Sequence, residues 1–466
     1  MLTYSFENKG RDSLYEYLYK CIKDDILTCH LMPEEKLPSK RAFAKHLGIS
    51  TITVENAYNQ LLAEGYIYSK PKSGFFVCDI VSPKVNLTHS AQEYPKTGDK
   101  TESSCFKIDL AGSGSKNSFP FATWTKLMRE VMLEKREELT VNSPSIGVAE
   151  LRRAISEYLY EFRGMHADPE CIVIGAGTEY LYSLIIQLLG REKKYAVEDP
   201  GYLKISHIYN ANNVEFDYIP LDNKGVDINE LEKSAADVLH ISPSHHFPTG
   251  IVTPVSRRHE YLLWAGKSDN RYIIEDDYDS EFRFTGKPIP SLQSIDKDER
   301  VIYMSTFSKS LTSTIRISYM VLPSHLMARY KKELSFYSCT VSNFEQYTLA
   351  AFIERGYYEK HINRMRNYYR TRRDELMKAI KLHPLYNKVE IKEEDSGLHF
   401  LMKIDTDLTD EQLVLKGKEK GIKLACLSQY CHTKTSSNSH TLIVNYSSLD
   451  KENLDDGIKL LFEIIS

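Results

Sequence analysis

Two runs decide the fold of this chain: YIIEDDYDSEFRF, from Tyr272 to Phe284, and VIYMSTFSKSLTSTIR, from Val301 to Arg316. Each opens with β-branched and apolar residues and passes straight into a polar turn, the pattern of a short buried strand ending in a loop. In a parallel α/β sheet, ligands bind in the crevice beyond the carboxyl ends of the strands. The first strand brings Asp276, Asp277 and Tyr278 to that edge. The second brings Ser305, Thr306, Ser308 and Lys309, and Arg316 follows on the next segment.

Those residue types suit pyridoxal 5′-phosphate (PLP). The cofactor needs an amine for a Schiff base, which Lys309 can supply. It needs a carboxylate facing the ring nitrogen, for which Asp276 is the choice, and a donor to the ring 3-hydroxyl, which Tyr278 can provide. Its phosphate needs hydroxyls and a cation, and Ser305, Ser308 and Arg316 flank the lysine. Any one of these residues reads more simply as part of an acidic loop or a Ser/Thr-rich turn; the ordered set does not.

TFSKSLTSTIR resembles the lysine motif of the aminotransferase-like (fold type I) PLP proteins. EDDYDSEFR is similar to the form found in one branch, the MocR-like members of the GntR regulators. That resemblance implies a winged helix-turn-helix at the N-terminus and a fold type I α/β domain behind it.

Composition is compatible. At 466 residues the chain is too long for one compact core. A net charge of −4 fits a globular protein and argues against a nucleic-acid surface spread over the whole chain. No apolar run is long enough to cross a bilayer, and the first thirty residues lack a secretory apolar core, so the expected location is the cytoplasm. The eight cysteines form no CxxC pair and read as reduced thiols, so no metal site is expected.

From the N-terminus, Leu14, Leu18, Cys21, Ile22 and Ile26 fall at helical spacing. Ser39 is a plausible cap for a short helix over 41–47, Gly48 permits a tight turn, and Ser50 caps a helix running from Thr51 to Ala63. YIYSK and FFVCD around PKSG read as a β-hairpin wing. KLPSKRAFAKHLGIS and AYNQLLAEGYIYSKPKSGFFV resemble the GntR-type domain. The resemblance implies that the second helix of the pair enters the major groove of double-stranded operator DNA, with Ser50, Thr51 and Thr53 at its N-terminus. Lys36, Ser39, Lys40, Arg41 and Lys45 would meet phosphate, as would Lys70, Lys72 and Gly74 on the wing. Thr51 stands where many relatives carry a base-reading arginine.

The expected domains are a winged helix-turn-helix over 1–79, a flexible linker over 80–107 rich in Pro, Gly, Ser and Thr, and a PLP domain over 108–466. The last divides into a large part of about 120–340 and a small part of about 341–466. CIVIGAGTEYLYSLIIQLLG, from Cys171, reads as strand, glycine turn and helix, whose backbone N–H groups at Gly177, Thr178 and Glu179 suit a phosphate. Glutamine is usual in the family at the position of Glu179, so only its backbone is expected to help. Tyr202 resembles the aromatic residue that stacks on the pyridine. His245 and His246 lack a third ligand at metal spacing and read as pocket wall. Ser143 replaces a family glycine. The basic segment Lys360 to Arg373 reads as a solvated face.

In aminotransferases the strand resembling TLIVNYSSL carries an arginine that clamps the substrate carboxylate; here the position is Ile443. The expected function is therefore a PLP-dependent one-component transcription regulator, sensing a small amine or PLP itself through an aldimine on Lys309. The alternative is an aminotransferase with an accessory DNA-binding domain. The resemblance also implies a head-to-tail homodimer.

Overall fold

The structure is a computed structural model that describes residues 2–6, 9–10, 12–79, 106–112, 119–284, 289–393, 397–433, 438–447, 449 and 451–465, with the side chains of 451–453 left out. Two compact units divide the chain, Met1–Asp99 and Lys100–Ser466. The expected linker lies, but for its last two residues, outside the described residues.

The first unit holds three helices and a hairpin. Helix α1 (Leu14–Leu27) starts at a reciprocal Ser13–Glu16 cap and buries Leu18, Ile22 and Ile26 along one stripe. Helix α2 (Lys40–Leu47) starts where the Ser39 hydroxyl accepts from the Ala42 N–H, and stops at Gly48, whose φ of 66° closes the turn. Helix α3 (Thr51–Ala63) starts where Ser50 accepts from the Thr53 N–H, and buries Val54, Ala57, Tyr58 and Leu61. Strands β1 (Ile67–Lys70) and β2 (Gly74–Val77) pair antiparallel, with Ile67 opposite Val77. Their inner residues, Phe43 and the three helical stripes make one core.

The second unit is built on an eight-stranded sheet. Its strands are β4 (Ile172–Gly175), β5 (Tyr195–Asp199), β6 (Phe216–Asp222), β7 (Gly225–Val226), β8 (Val238–Ile241), β9 (Tyr272–Asp277), β10 (Val301–Thr306) and β11 (Ser318–Val321), after a short β3 (Ile108–Asp109) that lies elsewhere. Their order is β4-β11-β10-β9-β8-β5-β6-β7. From β10 through β6 the pairs are parallel, whereas β11 is antiparallel to both neighbours. Helix cover on both faces explains why β4, β8, β9 and β10 are buried at every position. One face packs on α4 (Phe121–Glu134) and α5 (Ala149–Arg163), the other on α6 (Thr178–Leu189).

A smaller antiparallel sheet orders β12 (Val389–Lys392), β13 (His399–Ile404) and β15 (Thr441–Asn445), and β14 (Ile422–Lys423) pairs with β3. The two parts do not divide near residue 341. Val341, Tyr347, Leu349, Tyr358 and Ile362 pack into the large part's core, and the small core takes up the long helix Tyr357–Leu382 only from Met365. Ile108 and Leu110 join the small core, which is thus discontinuous in sequence. The reason is the single 26-residue helix, whose apolar stripe serves one core at its start and the other at its end.

Candidate functional site

The carboxyl ends of β4, β5, β8, β9 and β10 open on one cavity of about 380 Å³. Side chains alternate across a strand, and that alternation sorts the residues at its mouth. Asp276 lies opposite Met304 in the β9–β10 register, and Asp277 opposite Ser305. Asp276, Thr306, Ser308 and Lys309 line the cavity. Asp277 turns to the other face, where Arg163 Nη2 lies 2.7 Å from its Oδ2 and the Tyr303 hydroxyl donates to it at 2.7 Å. Ser305 follows Asp277 and lies beside the Tyr319 hydroxyl, away from the cavity. The expectation that Ser305 meets the phosphate is therefore corrected: period 2 turns Ser305 away and brings Thr306 to the cavity lining.

Asp276 is buried, and its Oδ2 accepts from the Tyr182 hydroxyl at 2.5 Å. Among the described residues its Oδ1 has no partner. Burial, opposed by the Tyr182 hydrogen bond and aided by Asp277 and Asp279, pushes the Asp276 carboxyl up to about 6. A buried carboxylate with a free oxygen is costly alone and well matched to a cationic N–H.

Tyr278 also lines the cavity. Its hydroxyl lies 3.2 Å from His245 Nδ1, and the same nitrogen lies 2.9 Å from Asp279 Oδ2. In the tautomer with its hydrogen on Nδ1, His245 donates to Asp279 and cannot accept from Tyr278. The tyrosine hydrogen is left free to point elsewhere, the cavity included. Burial lowers the Lys309 amine below an ordinary lysine, with Asp279 opposing; the neutral, nucleophilic form is correspondingly easier to reach.

At the opposite end of the cavity, α6 starts at Gly177 (φ 92°) with no side-chain cap. A Cβ on Gly177 would lie 2.1 Å from Arg316 Nη2. The arginine packs where only a glycine leaves room, and its own φ of 52° is unusual for a side-chain-bearing residue. Thr178, Ser308 and Arg316 line this end. So do Glu179 and Lys204, and Glu179 bonds to both Lys204 and Arg316. The side chain of Glu179 is thus directly engaged with the cations of this end, beyond the backbone role expected of it. Burial raises its carboxyl, but Lys204 and Arg316 prevail and hold it at about 2.

Tyr202 stands at the mouth, edge-on to Phe247 with ring centroids 5.9 Å apart. Behind it come His399, Tyr430 and Asn445, from the small part. None had a local sequence signal, since they arrive from strands and turns ninety or more residues beyond Lys309. His245 and His246 do not form the wall as expected. Both are buried behind it, His245 against Tyr278 and Asp279, His246 with Nε2 3.4 Å from Glu198. Ile443 packs with Leu401 and Leu427, against which Phe247 and Tyr430 rest. The cations lining the cavity, among the described residues, are Lys204, Lys309 and Arg316. Ser143 stands near the Cys339 thiol, outside the cavity lining.

The donor set fits PLP on two observations: an Asp276 oxygen without a partner among the described residues in the same cavity as a burial-lowered lysine, and the Gly177 cradle that admits Arg316.

In the first unit, Arg41, Lys45, Thr51 and Lys72 are exposed, and among the described residues no carboxylate pairs with these cations. Lys40 instead bonds Glu55 at 2.6 Å and lies over Phe75, and Lys70 bonds Glu34 at 3.2 Å. Lys36 packs its stem against Gly74 and its amine over Phe76. Ser39 and Ser50 spend their hydroxyls on helix caps, and the Thr53 hydroxyl lies 2.8 Å from that of Ser50. Ile52, 69% exposed at the start of α3, is an apolar side chain that sequence reasoning passed over.

Comparison with known proteins gives a family for each of the two units. Residues 111–459 match the family "Aminotransferase class I and II", and residues 14–77 match "Bacterial regulatory proteins, gntR family". The chain is 38% identical over 464 residues to the uncharacterized HTH-type transcriptional regulator YdeL of Bacillus subtilis (strain 168), covering 98% of each. It is 30% identical over 463 residues to the probable rhizopine catabolism regulatory protein MocR of Rhizobium meliloti, covering 96% of this chain and 93% of that one. Among solved structures, Pyrococcus horikoshii kynurenine aminotransferase superposes with a TM-score of 0.67 at 25% identity, over 78% of this chain and 91% of that one.

Proposed function

The chain belongs to the aminotransferase class I and II family and is a MocR-like member of the GntR regulators; from that premise we propose that it is a transcription regulator whose aminotransferase-like unit reads a small amine, or PLP itself, and whose N-terminal unit holds operator DNA. The observation that carries the PLP half is Asp276 Oδ1, buried and without a partner among the described residues, in the same cavity as Lys309.

PLP, when bound, supplies an aldehyde that takes up amines and an electron-poor ring. Asp276 would hold the protonated ring nitrogen through its free oxygen. Tyr278, whose hydrogen His245 cannot accept in that tautomer, would donate to the ring hydroxyl oxygen. Tyr202 would cover one face of the ring. Thr178, Ser308 and Arg316 would hold the phosphate beside Gly177. Lys309, whose amine burial makes easier to deprotonate, would be the attachment point.

With PLP in place, Lys309 would be the group that an incoming amine has to displace. The amine can alter DNA binding only by its differential affinity for the two conformations of the protein. Ile443 in place of an arginine leaves no guanidinium at that strand for an α-carboxylate, which favours sensing over amino-acid turnover. In the N-terminal unit, Arg41, Lys45 and Lys72, exposed and without a carboxylate partner among the described residues, would meet phosphate, and Ile52 with Thr51 would face the bases at the start of α3. A homodimer reading a two-fold operator in the cytoplasm belongs to the same proposal.

The test of the cofactor half is to incubate the protein with PLP, reduce with borohydride and map the labelled peptide. Label on Lys309 is expected. No label, or label on another lysine, overturns it.

A further inference from the structure

The phosphate end of the cavity already contains an anion of the protein's own. Glu179 sits in the first turn of α6, at the helix end that favours negative charge. One carboxylate oxygen, Oε1, takes the Lys204 ammonium and the other, Oε2, takes the Arg316 guanidinium. A carboxylate bridging two cations above an uncapped helix start reproduces the contacts that a phosphate would make there. The three side chains keep 29%, 49% and 48% exposure in the order Glu179, Lys204, Arg316, so the bridge is open to solvent and can be exchanged. The missing side chain of Gly177 leaves room for the pair: a Cβ there would lie 2.1 Å from Arg316 Nη2, and 2.8 Å from Glu179 Oε2.

We infer that Glu179 is a built-in competitor for the phosphate seat, occupying Arg316 and Lys204 until a phosphorylated ligand displaces it. This rests on the reading of the cavity as a PLP site, and it adds a regulatory property: cofactor occupancy is loosened by design and becomes reversible. Arg316 cannot satisfy Glu179 and a dianion in full at once, and the two anions repel each other, so phosphate entry requires the carboxylate to swing away. Neutral glutamine at this position keeps the size and loses both the claim on the cations and the repulsion.

The experiment titrates PLP, and separately pyridoxal, which lacks the phosphate, into the full-length wild type and Glu179→Gln, following the absorbance of the bound ligand. The exchange of exposed ion pairs sets the scale: PLP should bind about threefold to tenfold more tightly to the variant. Pyridoxal affinity should move less than about twofold. Equal PLP affinity in the two proteins, weaker binding by the variant, or an equal gain for pyridoxal overturns the inference. If neither protein binds PLP at all, it is the reading of the cavity that has failed, together with what rests on it.

Discussion

Asp276 and Asp277 are neighbours in sequence, and the structure assigns them opposite work, so replacing each by asparagine should have opposite effects on stability. Asp277 faces Arg163, and both are buried; Tyr303 and Ser280 donate to the same carboxylate. Asp277→Asn leaves Arg163 buried without its counter-charge, a loss of about 3–5 kcal/mol. Asp276 instead suffers from its burial: carrying a carboxyl from 3.8 to about 6 costs about 3 kcal/mol once it is ionised. The folded state therefore binds its proton more tightly than the unfolded state does. The penalty is absent below pH about 4, grows as pH rises through about 6, and is complete above it. Asp276→Asn should thus stabilise the cofactor-free protein by up to about 3 kcal/mol at pH 7.5, and by close to nothing at pH 4. Urea unfolding of wild type and both variants at several pH values, without PLP, reads this directly. The reasoning is refuted if Asp276→Asn is destabilised at pH 7.5, or if Asp277→Asn unfolds like wild type. Added PLP should reverse the ranking of wild type and Asp276→Asn, because only the wild type can offset its buried charge with the ring nitrogen.

Further outcomes follow from other parts of the molecule. Gly177→Ala places a Cβ 2.1 Å from Arg316 in a backbone conformation (φ 92°, ψ 161°) that costs a side-chain-bearing residue ~1–3 kcal/mol, and should weaken PLP binding at least about tenfold by equilibrium titration. Arg41→Ala and Lys45→Ala should each weaken DNA binding alike for every sequence and reduce the salt slope by about 1 in a filter-binding or anisotropy series. Ser50→Ala, which removes the cap on Thr53, should cost about 1 kcal/mol in unfolding of the N-terminal unit, followed by circular dichroism.

Much of this was legible in the chain because it lies in local order. Strand, polar turn and lysine arrive within forty-five residues, and caps at Ser39 and Ser50 announce their helices through chemistry that acts over three residues. Ser305 was misread because a motif records which residues are near the lysine, while the face each one takes depends on register with β9. His399, Tyr430 and Asn445 were invisible because the chain brings them back from the small part, and nothing near them in sequence signals a cavity. The division between the two cores was missed because one uninterrupted helix serves both. Only the backbone of Glu179 was expected to take part; the grip of its side chain on Lys204 and Arg316 depends on a meeting of three segments.

The central claim is that the state of the cavity governs binding to DNA. It is tested most directly by measuring the affinity of the purified, cofactor-free protein for DNA upstream of its own gene, at fixed salt, as PLP and then a panel of amines are added, with Lys309→Ala alongside. The account predicts that PLP alone, or PLP with one class of amine, shifts the affinity or footprint of the wild type and leaves Lys309→Ala unmoved. A wild type that binds PLP at Lys309 yet holds DNA identically under every condition would contradict it.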